Sequence, residues 1–337
     1  AGAQDSGEAD VGGGDAGGDA GTDAGTPDAG GADGGTGDPC EGAYPPQCLR
    51  ELLESPSRCN PANAAAIDRV SREMKAAMEL PLQYLDDAWI FYAGSASTVE
   101  VAGEFNAWAP AALEKICALD LWALKVTTAG DKYEYKLVVD GTWILDPGNR
   151  AFAYDDYAGN ADKKNSVLNF WGSGKSHLEW WRNVASPQLG NSRDLYVYVP
   201  PYFNPMGAQA YPVLYMHDGQ NIFDDKNSGL GNGGWETNIA ADAEIVRAGL
   251  IPYFIVGVAN TTDRMDEYTP CIDQNGGDPF GGKADLYEQF LIETVIPMME
   301  PHYHIYADGR AIAGSSLGGN ISMYIGLRPP DLFPKGI

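Results

Sequence analysis

The 337-residue chain carries 47 acidic against 22 basic side chains, a formal net charge of −25, with 44% hydrophobic and 11% aromatic residues. That length and apolar content permit two folded domains with sizeable cores, while the acidic excess opposes nucleic acid or an anionic membrane surface as partner. No run approaches the ~20 apolar residues that a bilayer crossing needs.

Residues 1–40 hold nine of the acidic side chains, no Lys or Arg, no aromatic residue and 14 of the 42 glycines. Such a segment has too little apolar surface to offset the entropy of ordering it, and reads as a disordered acidic tether. Its isolated aspartates lack the hydrophobic position of a calcium-binding repeat, so a solvated linker is expected rather than a cation site. The chain opens at Ala1 without Met or a basic-then-apolar leader, so a leader has been removed or the sequence is a fragment. The tether and the cysteines suit an exported protein (periplasmic, surface-tethered or secreted).

Residues 41–87 form a Cys-bearing segment, irregular over 41–60, followed by an amphipathic helix over 63–79 with Ile67, Val70, Met74 and Met78 at helical spacing. Cys40, Cys48 and Cys59 are close in sequence while Cys117 and Cys271 stand apart. Their spacing matches no zinc pattern, and a disulfide within the cluster is expected in an oxidising compartment. Over 88–170, alternating runs such as WIFYAG and KYEYKLVVDG between turn residues predict a small antiparallel sandwich. Residues 171–190 read as a connector. From 191 to 337, apolar runs DLYVYVP, YPVLYMH, YFIVGVA and RAIAG alternate with helical stretches near 235–249 and 284–300. That is the pattern of a mostly parallel α/β sheet.

Gly314-Ser315-Ser316-Leu317-Gly318 follows the last of these strands and precedes a helical stretch. A GxSxG at a strand-to-helix turn is a nucleophile elbow, in which glycines permit a tight turn that lifts a hydroxyl clear of the sheet; Ser316 is the expected nucleophile. An oxyanion would then be held by the backbone N–H of Leu317 and by that of Gly219 or Gln220, in the turn His217-Asp218-Gly219-Gln220 after an earlier strand. His217 is expected to be structural. All four histidines (His177, His217, His302, His304) precede Ser316, against the chain order Ser, acid, His of this elbow class. The general base is therefore expected to be missing from the chain. His302 and His304 lack a third ligand and are read as a strand end rather than a metal site.

Residues from about 180 to 337 resemble the first half of the esterase D-like α/β hydrolases, which include feruloyl, acetylxylan and enterochelin esterases. The stretches that carry the likeness are SRDLYVYVPPYF, YPVLYMHDGQNIFD, FIVGVANTTDRMDEYTPC and RAIAGSSLGGNISMYIGLRPPDLF. The resemblance implies an α/β-hydrolase fold, incomplete at its C-terminus, because family members continue through strands bearing the catalytic acid and histidine. Residues 88–170 resemble an early-set, immunoglobulin-like, glycogen-binding type of carbohydrate-binding module through EFNAWAP, YEYKLVVDGTW and DPGNR. That likeness places glycan contacts on Trp108, Lys136 and Trp143, with a family asparagine falling on Asn165 or Ser166. In TTDRMDEYTPC, Arg264 and Glu267 are read as an ion pair fixing the loop beside the site, with a substrate-contacting arginine as the alternative.

The expected function is thus serine ester hydrolysis, removing feruloyl or acetyl groups from a polysaccharide, with an α-glucan or related glycan on the sandwich and no metal or other cofactor. A siderophore esterase of the enterochelin type is the alternative. A third reading, of another class, is a catalytically inactive glycan-binding or structural fragment.

Overall fold

A computed structural model describes residues 38–84, 87–160, 163–171, 173–223, 233–274, 277–328 and 331–334. Nearly all of the predicted tether lies outside the described residues. Residues 38–337 form one compact unit.

Two helices open it, α1 (Pro45–Glu54) and α2 (Pro61–Ala76). The segment expected to be irregular thus holds a helix: Pro45 starts it, and Cys48, Leu49, Leu52 and Leu53 bury its apolar stripe. Asn60 caps α2 by accepting from the Asn63 N–H. Cys40 and Cys48 are joined, a disulfide within the cluster as expected, while Cys59 bonds Cys117 from beyond the cluster; Cys271 is free and exposed.

Ten short strands follow: β1 (Leu82–Tyr84), β2 (Asp87–Ala93), β3 (Val99–Gly103), β4 (Ala111–Ala112), β5 (Glu114–Lys115), β6 (Leu121–Thr127), β7 (Lys132–Val139), β8 (Thr142–Ile144), β9 (Ala151–Tyr154) and β10 (Lys164–Asn169). One sheet runs β1-β2-β6-β5, and the facing sheet includes β4-β3-β7-β10-β9 with β8 on β7. Ala88 and Ile90 of the first pack with Val101, Tyr135, Leu137 and Leu168 of the second into one buried layer, as two inward-facing sheets require.

The second half contains β11 (His177–Ser186), β12 (Asn191–Val199), β13 (Tyr211–His217), α3 (Thr237–Ala248), β14 (Phe254–Val258), α4 (Arg264–Glu267), α5 (Ala284–Phe290), α6 (Ile296–Tyr303), β15 (Ile305–Ala313) and α7 (Leu317–Leu327). Its strand order is β15-β13-β14-β12-β11, with β15, β13 and β14 parallel and β12 reversed. α3 packs on one face, burying Ala241 and Ile245; α5, α6 and α7 cover the other through Tyr287, Phe290, Met299, Ile321 and Ile325. Covered on both faces, β14 is apolar throughout and wholly buried. This is the α/β-hydrolase-like architecture that the resemblance implied.

The connector expected at 171–190 is mostly β11. It pairs with β12 and also with β9, placing Leu178 opposite Phe152 and Glu179 opposite Ala151. The sandwich and the α/β half therefore share one continuous sheet. Trp180, Trp181 and Val184, partly buried here, lent the segment apolar content that its glycines and proline obscured.

Candidate active site

The parallel strands β13, β14 and β15 end together, and loops at that carboxyl edge are where open α/β sheets place ligands. Met216 pairs with Ala313 and His217 with Val258, so the turn after β13 lies between the ends of the other two.

Ser316 sits between β15 and α7 at φ 57°, ψ −124°, a conformation that a residue with a Cβ rarely adopts, and its side chain is exposed. Holding it costs on the order of 1–3 kcal/mol. The flanking glycines allow the bend: a Cβ on Gly314 would lie 2.5 Å from the backbone of Gly318. The Leu317 N–H opens α7 and belongs to the first turn, whose N–H groups have no intrahelical acceptor and carry the positive end of the helix dipole.

Gly219 and Gln220 stand beside this elbow. A Cβ on Gly219 would come within 2.4 Å of Gly257 on β14, so only glycine lets the loop seat so deeply. Asp218 turns the chain into that loop at φ 59°, with its carboxylate buried. The carboxylate accepts from Arg264 Nε and Nη2, at 2.6 and 2.7 Å, and from Asn260 Nδ2, while Gln220 Oε1 accepts from the Asn260 N–H. A Cβ on Gly318 would be 3.2 Å from Asp218 Oδ2, so this ion pair, buried on its Asp218 side, underlies the elbow as well.

Arg264 and Glu267 do not pair with each other. Glu267 accepts from Arg193 Nη1 and Nη2 at 2.9 and 2.8 Å, and both side chains are fully enclosed. Two ion pairs thus brace the loop where one was expected. Asp218, Asn260 and Arg193 were missed by sequence reasoning. Asp218 adjoins the glycine of the predicted loop, and Asn260 follows the apolar run of β14, the position at which α/β strands deliver site residues.

His217 lies against the elbow but is buried. Its Nδ1 is 2.9 Å from Tyr287 Oη, its Nε2 has no hydrogen-bond partner among the described residues, and burial pushes its pKa down to about 3. It is a neutral imidazole packed between Tyr268 and Tyr287. The other histidines stand elsewhere. His304 precedes β15, whose nine residues separate it from the elbow, about 30 Å at the usual strand rise. His302 is not at a strand end as expected: it lies in α6, its Nε2 2.9 Å from Arg150 Nη1. His177 Nε2 is 3.2 Å from Glu179 Oε1. Among the described residues, no group of His, Cys, Asp or Glu could hold a metal ion, and no helix is long and apolar enough to cross a membrane.

At the far end of the sheet, Trp108 and Trp143 are 37% and 46% exposed, with ring centroids 6.5 Å apart and planes tilted by 31°. They flank a groove of about 820 Å³ that Glu134, Lys136, Asp155, Asn160 and Asn165 also line. Lys136 Nζ donates to Asn160 Oδ1 at 2.8 Å, and Asn165 Nδ2 donates to Glu134 Oε2 at 2.9 Å. Of the two candidates near the end of this region, Asn165 lines the groove, whereas Ser166 is buried and accepts from the Asp146 N–H.

Residues 186–335 match the Esterase family model, described as "Putative esterase". The chain is 27% identical over 158 residues to the uncharacterized protein YbbA of Bacillus subtilis (strain 168), covering 45% of this chain and 58% of YbbA. It thus spans less than three fifths of the length of the curated relatives it matches. Among solved structures it is similar to the enterobactin esterase FES of Shigella flexneri (16% identity, TM-score 0.33, covering 74% of this chain and 71% of that one). It is also similar to a ferulic acid esterase (21% identity, TM-score 0.36, 48% and 57% covered).

Proposed function

We propose that the chain is a serine carboxylic-ester hydrolase acting on acyl groups, feruloyl or acetyl, borne by a polysaccharide. The observation that carries this reading is the backbone of Ser316, strained at a strand-to-helix bend with its hydroxyl exposed beside a glycine loop. The match of residues 186–335 to the Esterase family model supports it. Ser316 Oγ attacks the ester carbonyl while the N–H groups of Leu317 and of Gly219 or Gln220 receive the oxyanion. The sugar alcohol departs with a proton, leaving an acyl-serine, and water then releases the acid. Arg264 and Glu267, each held in an ion pair, act on the loop and not on the substrate. For a siderophore ester, whose ferric complex is anionic, the rim would need a spare cation, and Arg264 is engaged by Asp218.

Trp108, Trp143 and Lys136 would hold the polysaccharide, the rings stacking on sugar C–H faces. Two disulfides support an oxidising, exported setting. Hydrolysis of p-nitrophenyl acetate and of a feruloylated xylan by the purified chain tests the reading, and an unchanged rate in Ser316→Ala would overturn it. The enclosure of His217 favours a second reading, a glycan-binding chain without turnover. Glycan binding with no ester cleavage above the Ser316→Ala background would establish that one instead.

A further inference from the structure

We infer that the tryptophan-flanked groove is charge-selective: it takes an uncharged glycan and rejects one bearing carboxylates, through Glu134 and Asp155. This rests on the glycan reading of the groove and adds the class of sugar that it admits.

Negative charge outweighs positive among the described residues that face the groove. Among the described residues that line it, Glu134 and Asp155 face one cation, Lys136. The lysine ammonium is drawn into the wall, its side chain buried and donating to Asn160 Oδ1. Asn160 Nδ2 donates to Asp155 Oδ2 at 2.6 Å, and Asn165 Nδ2 to Glu134 Oε2. The two amides therefore hold both carboxylates in place along the floor. Glu104 stands behind them, accepting from the Glu134 N–H at 2.8 Å, and adds to the negative field. Against the raising effect of burial, hydrogen bonds from Asn160 and the Tyr157 N–H keep Asp155 below the ordinary carboxylate range, so it is ionised at neutral pH, whereas burial raises Glu134 above that range.

A neutral sugar meets this surface well. Its C–H faces can lie on Trp108 and Trp143, and its hydroxyls can donate to carboxylate oxygens, the stronger kind of hydrogen bond. A uronic acid offers the same C–H faces but sets its own carboxylate among two or three others in a partly enclosed groove, where like charges are weakly screened. Lys136 brings one positive charge against the two lining carboxylates and Glu104 behind them, so it offsets only part of the repulsion. Stacking is thus common to both ligand classes, and charge alone separates them.

The test compares a soluble neutral α-glucan and a neutral xylan with the uronate made from the glucan by oxidising its C6 hydroxymethyl groups. Binding to the full chain is measured by titration calorimetry at low and high salt. The expected result is binding of a neutral glycan, at least tenfold weaker binding of the oxidised form at low salt, and narrowing of that gap by salt. Glu134→Gln together with Asp155→Asn, which keep the side-chain shapes, should close the gap while neutral binding persists. Equal affinity for both forms, or a gap that survives the double variant, overturns the charge filter and leaves the glycan reading standing. No binding of any glycan above that of Trp108→Ala/Trp143→Ala overturns both.

Discussion

The two ends of the long sheet build their candidate sites by different means. At the β15 end the backbone does it: Ser316 and Asp218 occupy left-handed conformations, Gly219 and Gly314 are packed tighter than any side chain allows, and two ion pairs, one of them fully buried, hold the loops. At the β7 end side chains do it, with two exposed rings over a polar floor. Stabilising a developing charge demands groups fixed before the reaction begins, whereas stacking on a sugar tolerates rings that are half in water. Mutations should therefore be costly to the fold at the first end and cheap at the second.

The sharpest contrast is expected at Glu267. Replacing it with Ala leaves Arg193 charged and enclosed, and a broken buried pair costs about 3–5 kcal/mol; urea unfolding checks this, and a loss under ~1 kcal/mol would break the comparison. Acidification probes burial across the whole described fold. His217 and His302 have folded pKa values of about 3 and about 4, below the ~6.5 of an unfolded histidine. The unfolded chain therefore binds more protons, and stability falls as pH drops from about 6.5 toward 4. Asp146, raised by burial to about 6, opposes this, because its penalty is relieved over much of the same interval. The net loss is roughly 4 kcal/mol, read from unfolding midpoints between pH 7 and pH 4, and His302→Gln should flatten the profile. Gly219→Ala comes next, at about 1–3 kcal/mol from overpacking against Gly257, with a drop in ester turnover. The smallest stability effect belongs to Trp143→Ala, within ~0.5 kcal/mol at this exposed position. The same change should lower glycan affinity at least tenfold, so loss of stability without loss of binding would invert the comparison.

How much of this the sequence revealed follows from the range of each interaction. The elbow and the glycine loop are local, a few residues of turn chemistry after an apolar strand, and the turns that carry Ser316, Leu317, Gly219 and Gln220 were legible for that reason. The pairing of Glu267 with Arg193 joins a loop helix to a strand 74 residues earlier, and no local pattern announces it. The same holds for the Cys59–Cys117 bridge, with a separation of 58, and for the β9–β11 pairing that fuses the two halves. β11 was obscured because it is only partly buried and lacks the apolar run of β14. On the sandwich, Trp108, Lys136 and Trp143 came from a resemblance, while Glu134 and Asp155 emerged only when the fold brought β7 and the turn after β9 together.

The central claim concerns one hydroxyl. Incubating the full chain with a fluorophosphonate and mapping the adduct by peptide mass spectrometry tests it most directly. The account predicts phosphonylation on Ser316, with ester hydrolysis lost in proportion to labelling. Labelling of another residue, or hydrolysis that continues with Ser316 phosphonylated or survives Ser316→Ala, would contradict it.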